Sequence, residues 1–253
     1  MISHPKIINL SLPKTGSSTL TRLFINHGGV HEGKHIKTTL FLMSLSQNKS
    51  RKDDIKDYFF KRQKLIKARV DSTTFMHFFQ DELLEIWPEA TFVHVRRNPM
   101  DWVISYINML YEFQLSLQAN PNYYLSCWAN DYAKFQVPEL DLNFLPKLIM
   151  NKEKLALVLD GLYYFWYVRS QKTHNTIQNA NSKISTKLID LNLVVTQLAE
   201  AAQVPISQMP VVQVSNIANK KLSSYKFIHA SVMEISPSLE SYKKANQFYG
   251  SLH

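Results

Sequence analysis

The chain has 253 residues, of which 45% are hydrophobic and only six are glycine, so it is long enough to bury a core as one α/β domain. Its formal charge of +9 favours anionic partners, and its single cysteine, Cys127, excludes an intrachain disulfide and fits a reducing compartment. The N-terminus lacks the pattern of a secretory signal, and the longest apolar stretch, residues 155–168, is too short to span a bilayer. We therefore expect a single domain over residues 1–253, a cytoplasmic location and no membrane partner.

Residues 6–24 predict a strand, a tight turn and the start of a helix. The apolar run that begins at Ile7 is typical of a buried strand in a parallel sheet. In the turn, Gly16 permits a backbone conformation that other residues resist, and Lys14 adds a positive charge. Backbone N–H groups at such a helix start bind anions, and hydroxyls can cap the helix or donate to phosphate oxygens. The hydroxyl residues are Ser17, Ser18 and Thr19. The alternative interpretation is a plain capped helix.

The order of residues in this turn differs from a Walker loop. A Walker loop ends in a Gly-Lys pair, whereas here Lys14 precedes Gly16 by two positions. This difference disfavours an ATPase or GTPase.

A second strand and helix start follow at residues 91–109. Asn98 suits the helix N-cap, Pro99 the first helical position, and Asp101 the free N–H groups of the first turn. Arg97 ends the strand and Ser105 follows on the helix. An arginine fork with a hydroxyl is a good receptor for a terminal phosphate.

These two motifs resemble those of the sulfotransferase family. PKTGSSTL is similar to the family's 5'-phosphosulfate loop, and RNPMD followed by Ser105 is similar to its 3'-phosphate motif. The resemblance implies a P-loop-like fold with a central parallel sheet flanked by helices. It also implies 3'-phosphoadenosine 5'-phosphosulfate (PAPS) as the donor, adenosine 3',5'-bisphosphate (PAP) as the product, and no metal requirement. By matched position, the donor would be held by Lys14, Thr15, Gly16, Ser17, Ser18, Thr19, Arg97 and Ser105.

The general base has no clean match to the family pattern. Asp71 ends a predicted strand whose carboxyl end faces the same crevice, which makes it the first candidate; a cap or an ion pair is the alternative role. His77 and His35 are the next candidates. The polar loop 27–39 holds three histidines and Glu32, but their spacing does not favour a metal site, and we interpret it as a substrate-side loop. His94 lies between two valines, and we interpret it as a structural residue.

The rest of the chain predicts further helices and one strand. Helices are indicated from residues 72–74 to Ile86 and within residues 111–135, 152–175 and 194–202, with a strand over 183–189 and a final helix from Ser236. In the family, a basic loop near the C-terminus covers the 3'-phosphate, and Lys220 and Lys221 are the candidates here.

The sequence as a whole favours transfer of a sulfuryl group to a hydroxyl or amine of a small-molecule acceptor. No nucleic-acid partner is expected, and no oligomeric state is indicated. One alternative is a nucleotide-dependent phosphotransferase or hydrolase, which should need magnesium. The other is a non-catalytic polyanion-binding protein that uses the basic residues of 49–69.

Overall fold

The centre of the structure, a computed structural model that describes residues 4–33, 52–119, 124–210 and 223–251, is a five-stranded parallel sheet. The strands are β1 (Ile7–Asn9), β2 (Gly29–Val30), β3 (Val70–Asp71), β4 (Thr91–Arg96) and β5 (Ser182–Lys187). Their order across the sheet is β2-β3-β1-β4-β5, and every neighbouring pair is parallel. The predicted α/β fold with a central parallel sheet is confirmed.

The direction in which strands are added changes beside β1. The chain runs from β1 to β2 at one edge, returns to β3 between them, and then adds β4 and β5 on the other side of β1. The boundary between β1 and β4 is therefore a topological switch point, where open α/β sheets bind ligands beyond the carboxyl ends of the strands. Lys14 follows β1 and Arg97 follows β4, so both predicted motifs lie at this boundary.

The described helices follow one another along the chain in the order that the periodicity predicts, with some additions. The ten α-helices described are α1 (Ser17–Leu23), α2 (Lys52–Ile66), α3 (Gln80–Ile86), α4 (Pro99–Ala119), α5 (Tyr124–Gln136), α6 (Leu145–Ile149), α7 (Lys152–Ile177), α8 (Val195–Ala202), α9 (Ser223–Ile235) and α10 (Glu240–Ser251). In this part of the chain, none of them is both long and apolar enough to cross a lipid bilayer.

The start of α4 is capped as predicted. Asn98 Oδ1 accepts the backbone N–H of Met100 at 2.9 Å and that of Asp101 at 3.4 Å. Pro99 takes the first helical position, where its missing N–H costs no helical hydrogen bond. The backbone direction is thus fixed one residue after Arg97.

The chain divides into two compact units. The sheet unit comprises Met1–Arg97 and Ser170–Val214, and the helical unit comprises Asn98–Arg169 and Ser215–His253. In the sheet unit, Ile7 and Val93 belong to one buried cluster with Leu20 of α1 and Leu198 of α8. In the helical unit, Trp102 stacks on Tyr106 of α4 with ring centroids 5.0 Å apart, and both side chains are fully buried. The single domain predicted over residues 1–253 stays a prediction.

Three elements differ from the sequence prediction. The helix predicted to begin at residues 72–74 and reach Ile86 is instead a 3-10 helix, Thr74–Phe78, followed by α3. Side chains 75–80 are all buried, so this segment lacks the solvent face of an ordinary amphipathic helix. The loop 27–39 contains the edge strand β2, and α9 is a helix that the sequence analysis did not predict.

Candidate active site

The turn after β1 has an unusual backbone. Lys14 has φ 64° and Gly16 has φ 98°, so two of three consecutive residues are in the left-handed region. Such turns form concave arrays of N–H groups that suit anions. A Cβ atom at position 16 would lie 2.5 Å from Leu188 Cδ1, which is a second reason for glycine there.

The predicted hydroxyl cap of α1 is wrong. Gly16 is the N-cap residue, and no side chain caps the helix. The hydroxyl of Thr15 instead donates to Leu12 O within the turn, and the hydroxyl of Thr21 donates to Ser17 O. Ser18 is exposed, and its hydroxyl oxygen lies 3.1 Å from His31 Nε2.

The two sequence motifs meet through one hydrogen bond. Arg97 Nη1 donates to the backbone carbonyl of Lys14 at 3.1 Å. Because β1 and β4 pair side by side, a guanidinium at the end of one strand reaches the turn at the end of the other. The contact brings two positive side chains and the turn to one edge of the sheet.

A buried network of hydrogen bonds connects the strand ends at this edge of the sheet. Asn9 Nδ2 donates to Ser72 Oγ at 2.9 Å, and Ser72 Oγ donates to Ser17 O at 2.9 Å. On the other side, Ser11 Oγ donates to Asn9 Oδ1 and accepts the N–H of Val95. The network fixes the carboxyl ends of β1, β3 and β4 relative to the start of α1.

Asp71 lies in a buried ion pair. Arg62 of α2 donates to both carboxylate oxygens of Asp71, and each of the two side chains is only 1% exposed. Thr73 Oγ1 also donates to Asp71 Oδ1, at 2.7 Å. Burial lowers the pKa of Arg62, but the charge and hydrogen bond of Asp71 outweigh it and raise the pKa above its ordinary value. These contacts favour the ion-pair role for Asp71 over that of a general base.

The remaining predicted site residues are His77, Ser105, His35, Lys220 and Lys221. His77 is fully buried in the Thr74–Phe78 helix, and its ring lies 4.1 Å from that of Phe78. Ser105 is 5% exposed on α4 in the helical unit, so its role toward the turn stays a prediction. His35, Lys220 and Lys221 lie outside the described residues.

His31 lies beside the turn, and the sequence analysis did not single it out as a candidate base. It follows β2, and its Nε2 lies 3.1 Å from Ser18 Oγ while its Nδ1 lies 2.9 Å from Ser72 O. The available signal was weak, because β2 has only two residues and owes its place to backbone pairing with β3. Gly29 and Val30, directly before a histidine, were the only hint of an edge strand there.

Four of the seven basic residues described in segment 49–69 form ion pairs. Lys52 and Lys56 both contact Glu85, and Lys61 contacts Asp57 at 2.6 Å. Arg62 is buried against Asp71, as described above. This pairing weakens the alternative of a polyanion-binding surface on α2. Within the described ranges, no group of three or more His, Cys, Asp or Glu side chains is arranged to hold a metal ion.

Comparison with known proteins identifies the family. Residues 6–143, more than half of the chain, match the family model described as "Sulfotransferase domain". The chain belongs to the sulfotransferase family. No curated protein sequence matches it significantly. The crystal structure of a sulfotransferase from Alicyclobacillus acidocaldarius is similar in fold, with 12% identity, a TM-score of 0.46, and coverage of 96% of this chain and 100% of that one.

Both motifs of this sulfotransferase lie within the matched residues, as does His31. Sulfuryl transfer requires that the charge on the departing oxygen be stabilised and that a proton be taken from the acceptor. Lys14 and the turn suit the first requirement. Beside β2, the side chain of His31 contacts Ser18, at the start of α1 directly after the turn.

Proposed function

We propose that this sulfotransferase transfers the sulfuryl group of PAPS to a hydroxyl or amine of a small-molecule acceptor. The observation that supports the proposal is the contact between Arg97 and the Lys14 carbonyl at the switch point of the sheet. It places an arginine beside a cationic turn whose backbone suits anions, and the proposed donor carries more than one phosphate group.

Each part of the site has a role in this proposal. The turn and the hydroxyls of Ser17 and Ser18 hold the 5'-phosphosulfate, and Lys14 neutralises the charge that develops on the bridging oxygen. Arg97 holds the 3'-phosphate, together with Ser105. Lys220 and Lys221 remain proposed contacts of the same phosphate.

The proposal also covers location and partners. One cysteine in 253 residues suits a reducing cytoplasm. The excess of positive charge is explained by a donor that carries several negative charges, so no nucleic-acid partner is invoked.

The first experiment is a thermal-shift comparison of PAP with AMP, ADP, and ATP with magnesium. A ligand at one hundred times its Kd stabilises the native state by about 2.7 kcal/mol, which raises the Tm of a chain of this size by about 5–10 °C. We expect this shift with PAP and a much smaller one with AMP or ADP, because only PAP carries the 3'-phosphate. Arg97→Ala should abolish the difference.

A matched control uses another arginine of the sheet unit. Arg69 is exposed and precedes β3, at the end of the sheet opposite to the turn, so Arg69→Ala should keep the full PAP shift. Stabilisation by ATP with magnesium alone would instead favour a phosphotransferase. Stabilisation by none of the nucleotides would reject the proposed donor.

A further inference from the structure

His31 bridges the turn and the end of β3. Its Nε2 lies 3.1 Å from the hydroxyl oxygen of Ser18, and its Nδ1 lies 2.9 Å from the carbonyl oxygen of Ser72. The side chain is 33% exposed, so the ring is held at the surface of the site and remains open to small molecules.

The contact with Ser72 determines which ring nitrogen carries the proton. A backbone carbonyl only accepts hydrogen bonds, so Nδ1 of the neutral ring must be the donor. Nε2 then carries the lone pair and accepts the hydroxyl proton of Ser18. The basic nitrogen of His31 therefore faces the turn that we propose binds the phosphosulfate.

Ser72 is itself fixed, which makes it a firm support for the ring. It is fully buried, and its N–H donates to Val30 O at 2.9 Å. Its hydroxyl accepts from Asn9 and donates to Ser17 O, as described above. Ser72, whose carbonyl orients His31, is thus held through its N–H and hydroxyl by three hydrogen bonds to three different segments.

The residues that follow His31 are also anchored. Glu32 Oε1 accepts the N–H of Thr74 at 3.0 Å, and Gly33 O accepts from Arg62 Nε at 2.8 Å. Glu32 Oε1 lies 3.9 Å from His31 Nδ1, so the carboxylate stabilises a positive charge on the ring. Ring orientation and charge stabilisation are the two properties that a general base of this kind needs.

We propose that His31 is the general base of the transfer reaction and that the arriving donor releases it from Ser18. This assignment rests on the proposed function. When the phosphosulfate occupies the turn, the Ser18 hydroxyl donates to a donor oxygen instead of to Nε2. Nε2 then accepts the proton of the acceptor O–H or N–H group as that atom bonds to sulfur. The bond between sulfur and the bridging oxygen breaks, and its electron pair stays on the phosphate of PAP.

The first test is ¹⁵N NMR of histidine-labelled protein, with His31→Gln to assign the signals. In the ligand-free protein we expect a proton on Nδ1 and none on Nε2, and addition of PAP should shift the Nε2 signal because Ser18 leaves it. A proton on Nε2 in the ligand-free protein, or an Nε2 signal unchanged at saturating PAP, would overturn the proposal.

The second test needs no identified acceptor, because water can take the sulfuryl group. Hydrolysis of PAPS to PAP and sulfate should fall by about 10²-fold or more in His31→Gln. The thermal shift produced by PAP should be unchanged. His27→Gln is the matched control: His27 is at the other end of α1 and contacts Gln208 O, so it should keep both the rate and the shift.

The outcomes distinguish a failure of the His31 assignment from a failure of the proposed function. If PAP stabilises the wild-type chain but His31→Gln hydrolyses PAPS within about 3-fold of the wild-type rate, the assignment of His31 fails and the proposed function stands. If PAP does not stabilise the wild-type chain, both fail.

Discussion

Removal of one partner of the Arg62–Asp71 pair should strongly destabilise the chain. Both side chains are 1% exposed, and Arg62 also donates to Thr73 Oγ1 and Gly33 O. Asp71→Asn preserves the size of the side chain but removes the ion-pair partner of a buried guanidinium. The expected cost is about 3–5 kcal/mol of unfolding free energy, because the pair is buried from water and the carboxylate contacts the guanidinium directly.

This cost can be measured by urea unfolding and calorimetry. For a chain of this size the expected fall in Tm is on the order of 10 °C. The exposed pair of Asp57 and Lys61 serves as the matched control, since their side chains are 60% and 71% exposed. Asp57→Asn should cost only about 0–1 kcal/mol. The double variant Arg62→Met with Asp71→Leu should be more stable than either single change, because it leaves no unpaired charge.

Two results would refute this reasoning. A loss of less than about 1 kcal/mol in both single variants would mean that the pair is not buried from water. Unchanged stability in Asp71→Asn together with abolished turnover would return Asp71 to the role of general base, at the expense of His31.

Three further predictions concern the turn and the sheet. Lys14→Ala should lower turnover far more than PAP affinity. Arg97→Ala should instead weaken PAP binding by about 10–150-fold, as titration calorimetry would show. Equal losses of affinity in both variants with unchanged turnover would contradict this division of roles. Gly16→Ala should lower the unfolding free energy by about 1–3 kcal/mol, because φ at this position is 98°. Gly250→Ala is the control and should cause no such loss, because no atom lies within 4 Å of the added Cβ. A urea midpoint unchanged by Gly16→Ala would contradict the prediction. Burial, and then neighbouring positive charges, lower the pKa of His94 from 6.5 to about 3. The contribution of the neutral His94 to the unfolding free energy is therefore fully present above about pH 6.5 and is lost toward pH 3, by up to about 1.4 kcal/mol per pH unit. His94→Gln should flatten that loss in urea unfolding between about pH 7 and about pH 5, and a slope equal to that of the wild type would disprove it.

Much of the fold could be predicted because its signals are local. The change from an apolar run to helical periodicity marks β1 and α1, and Asn98 with Pro99 marks the start of α4 within two residues. The parallel sheet follows from this alternation of strands and helices. These features depend on residues that are close together in the sequence, so the sequence pattern alone indicates them.

The features that were missed depend on distant partners. β2 has two residues and gains its place from pairing with β3, so periodicity could not reveal it. Asp71 finds its counter-ion on α2, which places the carboxylate in the core instead of in the crevice. The proposed base His31 reaches the turn only because β2 places it beside Ser72, 41 residues later in the chain.

The polar network at the carboxyl ends of the strands also bears on how the chain folds. The bond between Asn9 and Ser72 spans 63 residues, and that between Ser11 and Val95 spans 84. Such parallel pairings close long loops before they gain any contact, which makes folding slow. Because the turn and Arg97 meet only when β1 and β4 are paired, nucleotide binding should appear with the slowest refolding phase, after the helical signal has recovered. The binding site is then the last part of the sheet unit to form, and donor binding stabilises only the finished fold.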